Sequence, residues 1–288
     1  MPLFPDQLCF NTASLPGLSL REALATGYAL GFRAVELLAF DGYRHRAGEL
    51  AGFYWERMSP AERRELRRWL QPFDHLALHA AFMDLHPLAP NPAIREVSLR
   101  QLEVAVQAAH ALGAEVVTTH ATPVPLRDYE ELRPSLVDLY RWLGDLAEAG
   151  KVEIGIETGW PSPTQIVDLV AKVDHSNVGI TIDVGHLLWA LPGKQRSLPE
   201  APALYNDLLS THLRSAGGRT VHMHLHDLRL PEGRDHARLR TGIINYPRLL
   251  SDLSAANYKG LLSFELEETD SIAALASSRE VLLTLLST

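Results

Sequence analysis

Eight strand-like segments alternate with eight helix-like segments along 288 residues, with no linker and no internal repeat. The strand-like segments are 8–13, 34–40, 75–79, 115–120, 152–157, 178–183, 220–226 and 261–266. Local chemistry marks the helices between them. Ser19 with Glu22 and Ser59 with Glu62 have capping-box spacing, Pro60 and Pro92 sit where a first helical turn accepts proline, and Gly31, Gly113 and Gly150 stop helices. Strict alternation of this kind requires parallel strands joined by crossover helices. At this length, eight units close most simply into a single α/β domain over 1–288, a (β/α)8 TIM barrel. An open doubly wound sheet is the alternative, and the absence of G-x-G-x-x-G after the first strand weakens its dinucleotide-binding form. The strand-to-helix loops at 41–58, 187–199 and 228–245 are long, whereas helix-to-strand turns are short. Barrels carry their sites on the strand-to-helix face, so this is the functional face.

Composition narrows the partners. Lys and Arg total 27 against 35 Asp and Glu, for a formal net charge of −8. That balance argues against a general nucleic-acid-binding surface and for a small-molecule substrate. The single cysteine, Cys9, excludes an intrachain disulfide framework and a Cys-rich zinc module. With no basic-then-apolar start and no membrane-length apolar run, a cytoplasmic protein is expected; a homo-oligomer is compatible with all of this. Thirteen histidines are the unusual count, and their placement matters.

Ionisable residues stand at the C-terminal ends of successive strands. They are Glu36, His79, His120, Glu157, Asp183 with His186 just beyond, His224 and His226 in the row with His222, and Glu265. Side chains alternate along a strand, so Asp183 shares a face with Thr181 and Gly179, Glu157 with Gly155, and Glu265 with Ser263. The apolar residues between them face the helices, and the polar set points at one mouth. Three carboxylates so gathered repel by about 4 kcal/mol per pair at roughly 4 Å and an effective dielectric near 20. Either their pKa values rise or a cation sits among them. Imidazoles beside carboxylates, without thiolates, favour Zn²⁺ or Mn²⁺, and Glu157, Asp183, His224 and Glu265 suffice for one ion with open positions. Any one of these histidines alone is more often structural; the set in matching phase carries the argument. Glu36 is expected behind the site or facing substrate. His45, His86, His110, His175 and His212 read as solvated, and Phe53, Tyr54 and Trp55 as either a lid or packing.

At these residues the chain resembles the xylose isomerase-like TIM-barrel superfamily, which holds the sugar phosphate isomerases and epimerases and, more distantly, endonuclease IV. The matching stretches are Ala34-Val35-Glu36-Leu37, Leu78-His79-Ala80, Ile156-Glu157-Thr158, Ile182-Asp183-Val184-Gly185-His186, His224-Leu225-His226-Asp227 and Phe264-Glu265-Leu266-Glu267. The resemblance implies a metal-dependent isomerase or epimerase of a small sugar, sugar phosphate or polyhydroxy ketone, working by proton transfer through a metal-stabilised enediolate. It implies the ligands Glu157, Asp183, His224 and Glu265, with Glu157 and Glu265 as acid and base and His186 on the substrate. Asp227, three residues on, selects His224 within its row. Arg229 and Glu36 are the further substrate-binding candidates; Arg229 is one residue short of the family arginine, whose position is Leu230. The endonuclease IV alternative, a zinc phosphodiesterase acting on abasic DNA, adds His79, His120, His186 and His236 as metal ligands. Its Asp-x-His reads Arg234-Asp235-His236 here, so one ligand is expected to be displaced or missing. A metal-dependent dehydratase of a cyclic polyol or hydroxy acid is the remaining alternative.

Overall fold

The computed structural model describes residues 5–45, 47–121, 128–191 and 193–287. The barrel strands are β1 (Leu8–Asn11), β2 (Ala34–Leu38), β3 (His75–His79), β4 (Val116–Thr119), β5 (Glu153–Glu157), β6 (Val178–Asp183), β7 (Thr220–Leu225) and β8 (Leu261–Phe264). They close in the order β1-β8-β7-β6-β5-β4-β3-β2, every pairing parallel. The crossovers are α1 (Leu20–Ala29), α2 (Pro60–Leu70), α3 (Pro92–Leu112), α4 (Tyr129–Glu148), α5 (Pro163–Val173), α6 (Ala201–Ala216) and α7 (Tyr246–Ala255), with α8 (Ser271–Leu286) last. No helix among the described residues is long and apolar enough to cross a membrane.

The capping signals work as read. Ser19 and Glu22 close both arms of a capping box on α1, Ser59 and Glu62 do so on α2, and Gly113 ends α3 at φ +78°. Several strands stop short of the expected limits. After β1 the Asn11 carboxamide accepts from Ala13 N at 2.8 Å and turns Thr12–Ser14 into a 3-10 helix. After β8, Leu266 N donates to Ser14 Oγ at 2.9 Å rather than to a neighbouring strand. Two long loops carry small hairpins, Arg44–His45 with Gly48–Glu49 and Asp227–Arg229 with Arg234–Ala237.

The strand alternation sorts the interior into layers. The apolar set of each strand packs outward on the helices in one large core. Inside the barrel, Cys9, Ala34, Ala77, Val116 and Leu261 form a small apolar plug. Above it lie Glu36, Thr118, Thr181, His222 and Ser263, all fully buried. Gly155 belongs to this layer by necessity, because a Cβ there would stand 2.1 Å from Thr181 Oγ1. His79, Glu157, Asp183 and His224 come next, at the mouth.

His212 corrects the solvated reading. It lies on the buried face of α6, and burial pushes its pKa down to about 4. A depressed histidine stabilises the fold above the unfolded value near 6.5, and that contribution is lost as pH falls toward 4. Between pH 7 and 4.5, urea unfolding of His212→Leu should lose less stability than the parent, by on the order of 2 kcal/mol. Parallel losses in the two proteins would show that His212 does not carry this part of the acid sensitivity.

Candidate metal and active site

One ligand atom each from Glu157, Asp183, His224 and Glu265 lies within 4.8 Å of all the others. These groups come from the ends of β5, β6 and β7 and from the residue following β8. His224 Nδ1 stands 2.9 Å from Glu265 Oε2, 3.4 Å from Glu157 Oε1 and 3.9 Å from Asp183 Oδ2. Glu157 draws in three more imidazoles: His79 Nε2 at 3.1 Å and His120 Nε2 at 2.9 Å on Oε2, and His186 Nδ1 at 3.1 Å on Oε1.

Hydrogen bonds on the far ring nitrogens show which lone pairs face the cluster. His79 Nδ1 donates to the Ala80 carbonyl at 2.9 Å, so a neutral ring turns the Nε2 lone pair at Glu157. His236 Nδ1 donates to the Glu265 carbonyl at 3.1 Å, which leaves Nε2 as the acceptor. His226 is the opposite case. Its Nδ1 accepts from His236 N at 2.9 Å, and its Nε2–H donates to Asp183 at 2.8 Å, so it steadies a carboxylate and has no lone pair to offer. His224 Nδ1 and His120 Nε2 are buried and make no hydrogen bond despite their nearness to carboxylate oxygens. Lone pairs facing lone pairs at such distances need a shared proton or a shared cation.

Electrostatics agree. Burial would raise Glu157, but the imidazoles of His120 and His224 hold it well below the usual carboxylate range. Burial likewise opposes charge on His186, yet Asp183 and Glu157 hold its pKa up, at about 10. Protons on imidazoles therefore balance the carboxylates, and a divalent cation would take their place. The donor set, carboxylate oxygen and imidazole nitrogen without thiolate, fits such an ion.

A second group joins His186, Asp235 and His236, again within 4.8 Å. Neighbouring strand residues ordinarily face opposite ways, but His236 adopts φ +50°, which breaks the alternation and lets both side chains of the pair approach His186. Asp235, the acidic residue displaced by one position from the expected Asp-x-His, thus still lies beside His186. Above the carboxylates lies a cavity of about 250 Å³, lined by His79, His120, Glu157, His186, His236 and Glu265, with Phe40, Phe82, Arg44 and His45 on its walls. An outer chamber of about 710 Å³, walled by Trp160 and Gln165, shares His120 and His186 with it.

Two substrate-binding expectations need correction. Glu36 is fully buried beneath His224 and does not reach the cavity. Arg229 is held by Thr241 Oγ1 at 2.9 Å and Glu268 Oε1 at 3.3 Å, so it braces its own hairpin instead of reaching in. His45, read as solvated, lines the cavity because the short hairpin folds it back over the 3-10 turn after β1, with Nε2 3.3 Å from the Ala13 carbonyl. Phe53 and Trp55 are packed in the core, so the aromatic loop is packing there. Phe82, stacked on His120 at 4.1 Å, has no periodicity or spacing in the sequence that marks it as a site residue.

Fold and site together define a (β/α)8 barrel with an acidic, histidine-rich pocket at the C-terminal mouth of its strands. Residues 24–285 match the model of the xylose isomerase-like TIM barrel family, and the chain belongs to that family. The uncharacterized protein MJ1311 of Methanocaldococcus jannaschii is 26% identical over 220 residues, covering 72% of this chain and 68% of its own length. Among solved structures, a D-tagatose 3-epimerase-like protein matches with TM-score 0.73 and 21% identity over 97% of both chains. A xylose isomerase-like TIM barrel protein from Mycobacterium smegmatis, in complex with magnesium, matches with TM-score 0.70 and 18% identity over 97% of this chain and 96% of its own.

Proposed function

We infer that the protein is a metal-dependent isomerase or epimerase of a small ketose, sugar or sugar phosphate. The observation that carries this reading is the convergence of Glu157 and Glu265 on one cavity of about 250 Å³, with His224 Nδ1 within 3.4 Å of both. A cavity of that size suits a small polyhydroxy molecule. The structural match to a D-tagatose 3-epimerase-like protein supports the same class.

Glu157, Asp183, His224 and Glu265 would hold the ion, with Zn²⁺ or Mn²⁺ the expected metal. When bound, a divalent cation supplies the positive charge that lowers the cost of an enediolate. One of Glu157 and Glu265 takes the carbon-bound proton, and the other returns a proton to a different face or carbon. His186, lining both chambers, binds a substrate oxygen. The hydrogen bond from His226 holds Asp183 in place throughout.

The test is proton exchange. Incubated with Mn²⁺, Co²⁺ or Zn²⁺ and a panel of ketoses and ketose phosphates in D₂O, the protein should incorporate deuterium beside the carbonyl of at least one substrate, seen by NMR. Product analysis then separates epimerisation from loss of water. Absence of exchange across the panel would count against the reading. The second reading, a zinc phosphodiesterase acting on abasic DNA, is favoured by the His186–Asp235–His236 group and by His79 and His120 on Glu157. It predicts two or three zinc ions per chain and cleavage of abasic-site DNA.

A further inference from the structure

We propose that Glu36 is a positioning residue that reaches across the barrel to turn His224, so that Nδ1 rather than Nε2 is presented to the cation. The proposal rests on the cation reading above and adds a residue that never touches substrate. Glu36 projects inward from β2, while His224 and His222 project from β7 and Ser263 from β8. In the barrel order, β8 and β1 lie between β7 and β2, so the contact crosses the interior. Glu36 Oε1 lies 3.1 Å from His224 Nε2 in hydrogen-bond geometry. Ser263 Oγ donates to Oε2 at 2.7 Å, and His222 Nε2 stands 3.3 Å from the same oxygen.

Glu36, His222, His224 and Ser263 are all fully buried, so no water competes for these groups. An ionised carboxylate only accepts, so the proton of the His224 ring sits on Nε2. The lone pair is then on Nδ1, which faces Glu265 at 2.9 Å and Glu157 at 3.4 Å. A buried carboxylate without such partners would be costly, and here each oxygen has at least one. A carboxylate behind a ligating imidazole fixes its tautomer and raises its basicity, and losing such a partner typically weakens metal binding about 10–100-fold.

The experiment compares the metal-free parent with Glu36→Gln, titrating each with Co²⁺ and following visible absorption and calorimetric heat. Glutamine keeps the shape, but it loses the charge and one of its two terminal atoms becomes a donor, so it no longer imposes a proton on His224 Nε2 while accepting from Ser263. The expected result is saturable binding in the parent and a Kd about 10–100-fold weaker in the variant, with an altered cobalt band and unchanged circular dichroism. Equal Kd and identical spectra would overturn the proposal. No Co²⁺ uptake by the parent would overturn the cation reading itself, and this proposal with it. A second measurement needs no Glu36 variant. In the Zn²⁺-loaded parent, long-range ¹H–¹⁵N NMR should show His224 protonated at Nε2, assigned by the loss of its signals in His224→Asn. A ring protonated at Nδ1 would overturn the proposal.

Discussion

Glu157→Gln is expected to abolish turnover, by at least ~10³-fold, while the barrel stays folded. Glu157 is nearly fully buried, and its two oxygens meet four imidazoles, those of His79 and His120 on one side and His186 and His224 on the other. Glutamine preserves volume, so the strand end should hold its course. It removes the negative charge that the imidazoles face and any capacity to take a proton from carbon. Cation affinity should fall with it. The checks are deuterium exchange on the responding ketose, a Co²⁺ titration and circular dichroism on one preparation. A variant that keeps near-parental exchange would remove Glu157 from the chemistry.

Stripping the protein with a chelator is expected to abolish turnover and lower the melting temperature by several degrees, both reversed by adding back Mn²⁺, Co²⁺ or Zn²⁺. A ligand that binds only the folded state stabilises it by about 4 kcal/mol at a thousandfold excess over Kd. The unfolded chain cannot assemble this site, because its donors come from residues as far apart as Glu157 and Glu265. The local cause is charge balance: without a cation the imidazoles must carry protons to balance Glu157, Asp183 and Glu265. Elemental analysis before stripping gives the stoichiometry. One ion per chain favours the epimerase reading, and two or three zinc ions favour the phosphodiesterase. A melting temperature and turnover indifferent to chelation would count against both.

Much of the architecture was legible because its signals are local. Capping boxes at Ser19 and Ser59, the terminating Gly113 and the period-2 alternation through Glu157 and Asp183 act over four residues or fewer. Strand ends were misjudged by one or two residues where a side chain captured the backbone, as Asn11 does after β1. Arg229 failed as a substrate contact because its partner Glu268 lies 39 residues away, across a loop whose hairpin has no strong sequence mark. His45 was passed over for a similar reason, since its place on the cavity wall depends on a two-residue pairing with Gly48.

By itself the sequence determined the eight-unit barrel, the mouth where the candidate site lies and the carboxylates and imidazoles pointing into it, because strand phase and chain order suffice for these. Tertiary structure alone decided how deep each group sits and which atom of it faces which neighbour. Glu36 and Glu157 share the same parity and the same chemistry, yet one is sealed beneath His224 and the other reaches the cavity. Asp235 and His236 are neighbours in sequence that parity would separate, and a left-handed backbone at His236 brings both toward His186. The reason is physical: period and propensity fix the direction of a side chain, whereas its height in the barrel, its tautomer and its partner depend on register between strands distant in sequence.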